Sequence, residues 1–224
     1  MRATISVVIP TLNAEAHLGA CLTALMPGLE AGIIRELIVS DGGSEDATVS
    51  IAKAWGAKVV TGPPSRGGQL GRGCNAAAGT WLLVLHADTQ LRDGWVGPAI
   101  LHLDTRQAGW FRLAFAQGGL AGRLVAGWAN LRSRFGLPYG DQGLLLPRAL
   151  YADAGGYPDQ PLMEDVALAR ALRGKLTGID AVAETSPARY HAQGWVRRGA
   201  RNLWTLLRYF SGVSPHSLAR SYRR

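Results

Sequence analysis

Hydrophobic positions in the first half of the chain come in short runs that end abruptly on small polar residues. Ile5-Ser6-Val7-Val8-Ile9 gives way to Pro10-Thr11-Leu12-Asn13, and Leu37-Ile38-Val39 to Ser40-Asp41-Gly42-Gly43-Ser44. Leu82-Leu83-Val84-Leu85 gives way to His86-Ala87-Asp88-Thr89. Short aliphatic runs bounded by turn residues, with helix-length segments between them, predict buried strands of a parallel α/β sheet. Between them the pattern predicts a helix capped by Asn13 and carrying Leu18, Leu22 and Leu25, stopped by Pro27-Gly28. A second helix runs from about Ser44 or Asp46 to Trp55-Gly56, followed by a short strand at 57–60. The 62–68 segment reads as a loop on its Gly and Pro content, and a Gly/Ala-rich helix is expected over 69–78.

After residue 90 the pattern is less regular. It predicts helices at 93–104, 119–135, from Met163 to Gly174, at 193–211 and after Ser214-Pro215, with strands at 110–115, 143–146 and 176–183. No internal repeat, low-complexity tract or linker interrupts the 224 residues. One domain is expected over 1–224: a regular half to about 90, a second half over about 91–185 that shapes a pocket, and a tail over about 186–224.

In open α/β sheets ligands bind beyond the carboxyl ends of the strands, so Asn13, Asp41 and Asp88 are expected on one rim. His86 and Asp88, separated by one residue at a strand end, share a side of the pleat and together could hold a divalent cation with the phosphates it carries; ordinary turn residues would look the same. Asp41 either makes its turn or accepts from a base or ribose. Glu164-Asp165 opens a helix, where the dipole favours acids. Adjacent helical residues point about 100° apart, so one anchors the turn while the other can face a cleft as general base. Gly71-Arg72-Gly73-Cys74-Asn75-Ala76 matches GxGxxA, but it does not emerge from the first strand and is no dinucleotide fingerprint. Arg66, Arg72 and Asn75 remain candidate phosphate or sugar ligands.

Charge changes the picture only at the end of the chain. Residues 1–184 hold 16 Lys/Arg and 16 Asp/Glu, whereas residues 185–224 hold eight Arg, no Lys and no acid, so the net charge of +8 lies in the tail. That tail either meets anions or packs on its own protein with its arginines solvated, and the second reading is preferred. Trp195, Trp204, Leu207, Tyr209 and Phe210 interleaved with Arg197, Arg198, Arg201 and Arg208 keep peripheral membrane contact open. Cys21 and Cys74 lack metal-site spacing and read as reduced core thiols. Met1–Thr4 leads directly into the first strand and no apolar run reaches membrane-spanning length, so a cytoplasmic protein is expected, at the inner face of the membrane if the tail binds lipid.

Taken together, SVVIPTLN, VSDGGSEDAT, GRGCNAAAGTWLLVLHADT, YGDQGLLL and MEDVALARAL look like glycosyltransferase family 2, over about residues 4–175. The LHADT, GDQG and MEDV forms with the GVSPHSLARSY ending resemble its compact bacterial subgroup linked to arsenosugar biosynthesis. The resemblance implies a GT-A fold: a Rossmann-like, mixed but mainly parallel sheet flanked by helices, with a helical tail. It implies an enzyme that transfers one sugar, with inversion, from a nucleoside-diphosphate sugar, preferentially UDP-linked, to an acceptor hydroxyl.

Pro10, Thr11 and Asn13 would then border the nucleotide, Asp41 the base, and Arg66 and Asn75 the diphosphate or ribose. Asp88 would be the second acid of the DXD motif and bind Mg2+ or Mn2+, and Asp165 would be the catalytic base, supported by Glu164. Asp141, Gln142 and Gly143 would line the sugar or acceptor side. His86 replaces the first DXD acid, a departure that weakens the case for metal; His191 is a candidate replacement ligand, and Arg189 an alternative neutraliser of the diphosphate. The QxxRW signature of processive synthases is missing, which favours single transfer. A nucleotidyltransferase, and a nucleic-acid-binding protein built on the Arg-rich tail, are the rival readings, although no nucleic-acid motif is present and no nucleic-acid partner is expected.

Overall fold

Strand β1 (Ile5–Thr11) is almost completely buried because apolar layers cover both its faces. Ile5, Val7 and Ile9 point into one cluster with Leu18, Leu22 and Trp95, while Val8 joins a second cluster with Ile38, Leu70 and Leu146 on the opposite face. This period-two sorting, with apolar side chains on both sides, is what a central parallel strand requires. The computed structural model describes residues 3–222.

The remaining elements follow in order. Helices α1 (Glu15–Thr23) and α2 (Met26–Glu30) lead to β2 (Ile34–Asp41), then α3 (Thr48–Ala54), β3 (Lys58–Thr61), α4 (Arg66–Asn75) and β4 (Trp81–Val84). After these come β5 (Thr89–Leu91), α5 (Val96–Leu103), β6 (Ala108–Phe115) and α6 (Gly119–Arg134). A 3-10 turn at Gly140–Gln142 precedes β7 (Leu144–Pro147), α7 (Arg148–Asp153), α8 (Glu164–Ala171) and β8 (Leu176–Thr185). The chain ends with α9 (Ala188–Gln193), α10 (Trp195–Phe210) and α11 (Pro215–Tyr222).

The strand order is β3-β2-β1-β4-β7-β6-β8-β5. β3, β2, β1 and β4 are parallel, β7 runs antiparallel between β4 and β6, and β8 is parallel to β6. This is the mixed, mainly parallel α/β sheet expected. The chain leaves β1 toward β2 on one side and returns through β4 on the other, so the topological switch point lies between β1 and β4.

Several local expectations are corrected. Asn13 does not cap α1: its φ of +50° is left-handed, Ala14 occupies the cap, and the Asn13 side chain accepts from the Glu45 amide at 2.9 Å. Pro27 starts α2 instead of ending a helix. The supposed loop at 62–68 is helical from Arg66, because the Ser65 hydroxyl caps α4 by accepting from the Gly68 amide. The tail is not one helix over 193–211; Gly194, at φ +81°, breaks it into α9 and α10. Cys21 and Cys74 are free and buried on opposite faces of the sheet, and burial pushes both thiols up to about 12.

Candidate active site

The ends of β1 and β4 open onto one cleft. A cavity of about 290 Å³ is bordered by Pro10, Thr11 and Asn13 after β1 and by His86, Ala87 and Asp88 after β4. A second cavity, of about 120 Å³, is lined by Asp141, Asp165, Tyr139, Tyr190, Arg198 and Tyr222. Arg66, His86, Asp88 and Arg189 line both, so the two chambers are adjacent and share a wall. The two distant carboxylates singled out in the sequence, Asp88 and Asp165, therefore face one space.

Backbone strain aims the acids. Met163, at φ +65°, turns the chain immediately before α8, so Glu164 and Asp165 start the helix at the cleft. A non-glycine residue in that region costs of order 1–3 kcal/mol and is held only by its surroundings, here Leu162, Val166, Leu206 and Leu218. Asp165 accepts from the Gly140 amide at 2.9 Å through Oδ2 and from the Val166 amide at 2.7 Å through Oδ1. Glu164 turns the other way. Its side chain is 1% exposed and accepts from Arg66 Nε at 3.0 Å, while the Arg66 side chain, 43% exposed as a whole, lines the cleft. Burial pushes the Glu164 carboxyl up, opposed by Arg66 and reinforced by Asp165. Glu164 thus positions Arg66.

His86 is enclosed and packs against Gly140, where a Cβ would lie 2.5 Å from Nε2. Burial lowers its pKa, with Asp88 pulling up and Arg66 pushing down, so the imidazole is neutral near pH 7. Asp141 contributes a third carboxylate, with Oδ1 buried and unpartnered. Burial pushes this carboxyl up to about 6; Arg132 opposes the shift, and Asp165 and Asp88 add to it. Among the described residues no three His, Cys, Asp or Glu side chains converge closely enough to hold a metal by themselves, so a hard cation here would have to share its ligands with substrate phosphates.

Other sequence candidates fall outside the cleft or serve its walls. Asp41 is buried and lines neither chamber. Parallel pairing sets Thr11 opposite Asp41, whose oxygens accept from the Thr11 and Ser44 hydroxyls and the Gly43 and Ser44 amides at 2.6–2.9 Å. Burial alone would raise its pKa, but these bonds hold it below the usual range, so Asp41 is a turn anchor. Asn75 is exposed at the far end of α4, about 13 Å from Arg66 at 1.5 Å per residue, and borders a different cavity. Arg72 donates to the Pro63 carbonyl away from the cleft.

His191 is exposed, stacks edge-on against Trp195 and lines neither chamber, so it is not positioned as a metal ligand. Gln142 is buried and binds Ser133, Tyr139 and Phe111, while Gly143, at φ +65°, sits where a Cβ would strike Leu85; both build the wall behind Asp141.

The tail supplies what the sequence reading missed. Its preferred reading, a packed helix with solvated arginines, fails at Arg198, which is 8% exposed and lines the smaller chamber. Arg198 donates to Gln193 at 2.8 Å, lies over Tyr190 with Cζ 5.2 Å from the ring centroid, and leaves Nε unpartnered. Tyr222 donates to Asn202, which donates to Tyr190, a polar chain along the wall of the smaller chamber. Gln69 was also unforeseen: it ties the end of β1 to that of β2 by donating to the Thr11 and Ser40 carbonyls. The Arg-only composition of the tail was the one signal available.

A nucleotide-sized chamber at the switch point of a mixed sheet, adjacent to a carboxylate-lined one, is the architecture of a GT-A glycosyltransferase. The chain belongs to glycosyl transferase family 2, whose family model matches residues 6–129. It is 38% identical over 93 residues to the PGL/p-HBAD biosynthesis glycosyltransferase of Mycobacterium bovis, 38% of this chain and 36% of that protein. It is 36% identical over 107 residues to the glucosyl-3-phosphoglycerate synthase of Mycolicibacterium smegmatis, 44% of this chain and 35% of that one. The matched stretches thus span about a third of these curated relatives. The Mycobacterium tuberculosis glucosyl-3-phosphoglycerate synthase, solved with Mn2+, UDP and phosphoglyceric acid, superposes with a TM-score of 0.56. Its sequence identity is 26%, over 89% of this chain and 77% of that one.

Proposed function

We propose that this protein transfers one sugar from a UDP-sugar to an acceptor hydroxyl with inversion. The observation that carries the reading is the convergence of Asp88, Asp165, Arg66 and Arg189 on one cleft. The larger chamber, at the switch point beside Pro10, Thr11 and Asn13, takes the nucleotide. Asp165 takes the proton as the acceptor oxygen attacks the anomeric carbon in line; the bond from that carbon to the diphosphate oxygen breaks, and UDP leaves. Arg66, held by Glu164, and Arg189 face the departing phosphates and stabilise their developing charge.

The residues present fit a divalent cation. Asp88 would hold it, with Asp141 adding negative potential; one carboxylate plus substrate phosphates is an ordinary way to bind Mg2+. Mn2+ bound to the related synthase supports the same group here. When bound, the cation neutralises charge on the leaving diphosphate. The buried Arg198 and the Tyr190–Asn202–Tyr222 chain favour an acceptor with a negatively charged group, and the small chamber favours single transfer.

A thermal-shift panel of UDP-, GDP- and dTDP-sugars with and without Mn2+ tests the donor. A ligand at about 100 times its Kd stabilises by about 2.7 kcal/mol, a rise of roughly 5–11 °C for a chain of this size. A shift with UDP-sugar and Mn2+, followed by release of UDP and not pyrophosphate, is expected. No shift with any nucleotide sugar would overturn the reading.

A further inference from the structure

Helix α6 is turned inside out for a protein surrounded by water. It buries four small residues, Gly122, Ala126, Ala129 and Ser133, at intervals of three and four. The opposite face exposes Leu120 (78%), Leu124 (77%), Trp128 (55%), Leu131 (45%) and Phe135 (78%). Helix α10 repeats the inversion. Arg198, Asn202, Leu206 and Tyr209 turn inward, while Val196, Leu203, Trp204, Leu207 and Phe210 lie exposed on the far side. The two helices touch where Trp195 covers Gly122. Together the two helices expose far more apolar surface than the scattered exposed side chains normal for a monomer.

Charge decides what covers this surface. The α6 sequence has Arg123, Arg132 and Arg134 and no acidic residue, and residues 185–224 have eight Arg and none. Arg123, Arg134 and Arg197 are exposed beside the apolar stripes. A second copy laid on this face would set arginine against arginine. An anionic bilayer answers both features: its acyl region accepts Leu, Trp and Phe, and its headgroups attract the flanking arginines. Aromatic side chains at that depth are favoured on both counts. No helix among the described residues is long and apolar enough to cross a membrane.

We propose that the exposed apolar faces of α6 and α10 dock the protein onto an anionic lipid surface. The contact is peripheral, with the two helices lying in the plane of the interface. Helix α10 then separates lipid on one face from the small chamber on the other.

Co-sedimentation of the full chain with phosphatidylcholine vesicles, with and without phosphatidylglycerol, tests this. Pelleting with the anionic vesicles, reduced at high salt, is expected. Trp128→Ser combined with Trp204→Ser should lower the partition coefficient at least about tenfold, as loss of two large buried apolar groups requires. Arg123→Gln combined with Arg197→Gln should lower it roughly 30-fold, from about 1 kcal/mol per arginine. Leu101→Ser, at an equally exposed leucine on α5, should leave it unchanged, and circular dichroism confirms that each variant is folded. No pelleting with anionic vesicles, an equal loss with Leu101→Ser, or a dimer dissolved by the tryptophan pair in place of vesicle binding would overturn the proposal.

Discussion

Replacing Asp165 by Asn separates the chemistry of the site from its architecture. Both carboxylate oxygens are in use, Oδ2 from the Gly140 amide at 2.9 Å and Oδ1 from the Val166 amide at 2.7 Å. An Asn side chain has one acceptor oxygen, so one of these amides would face an NH2 group. Leaving one such donor unsatisfied at a helix start costs about 1–2 kcal/mol. That lowers the Tm by roughly 2–8 °C for a chain of this length. Stability of the usual 5–15 kcal/mol leaves the variant folded at 25 °C. Loss of a general base costs roughly 10²–10⁴-fold in turnover. The two effects therefore differ in kind: a modest shift in melting against a collapse of kcat. Steady-state UDP release gives kcat, and calorimetric titration of UDP-sugar gives donor affinity, expected to stay within a few-fold. A kcat within about tenfold of the parent enzyme, with donor affinity intact, would refute the assignment of Asp165. Collapse of donor affinity instead would make it a donor-binding residue.

The pH dependence of stability reports on Asp141. Its carboxyl is raised from 3.8 to about 6, so the folded state keeps a proton that the unfolded chain has lost, and stability falls as pH rises from about 4 through 6. In metal-free buffer Asp141→Asn should raise stability by about 1–3 kcal/mol at pH 7.5 and leave it unchanged at pH 4; equal effects at both, read by urea melts, would contradict this. A Cβ at Gly67 would lie 1.9 Å from the Pro158 carbonyl oxygen, so Gly67→Ala should cost about 3 kcal/mol or more in thermal melts. Gly127→Ala, with nothing within 4 Å, should stabilise α6 by about 0.5–1 kcal/mol. Arg198→Gln should raise the acceptor KM about tenfold or more with kcat and donor affinity nearly constant, since an ion-paired contact to a charged group contributes about 1.5–3 kcal/mol; an unchanged acceptor KM would remove Arg198 from the acceptor chamber.

The strands were legible where burial on both faces forces a continuous apolar run, as in β1 and β4. β5 was not, because three residues carry no period. The start of α4 was hidden for a different reason. Arg66-Gly67-Gly68 has poor helix propensity, and only the close backbone at 158–160 explains why glycine is needed there. Asn13 failed because asparagine serves two backbone roles, cap and left-handed turn, with equal ease. In the site, Asp88 and Asp165 could be read from strand-end and helix-start positions. Asn75 could not be placed without knowing that α4 points away from the rim. Arg198, Asn202 and Tyr222 were unreadable from amphipathicity, which points α10 the wrong way round: Leu203, Trp204 and Leu207 face out and Arg198 faces in.

The match to the family stops at residue 129, yet Asp165, Arg189, Arg198 and Tyr222 all come later. The larger chamber is thus lined almost wholly by residues upstream, with Glu164 and Arg189 added from the later stretch, and the smaller chamber is lined mostly by the stretch that packs onto it. Grafting the last forty residues from a relative should change the acceptor side most, and on the nucleotide side it replaces Arg189. Diversification in such an enzyme can proceed by exchanging its final helices, without rebuilding its sheet.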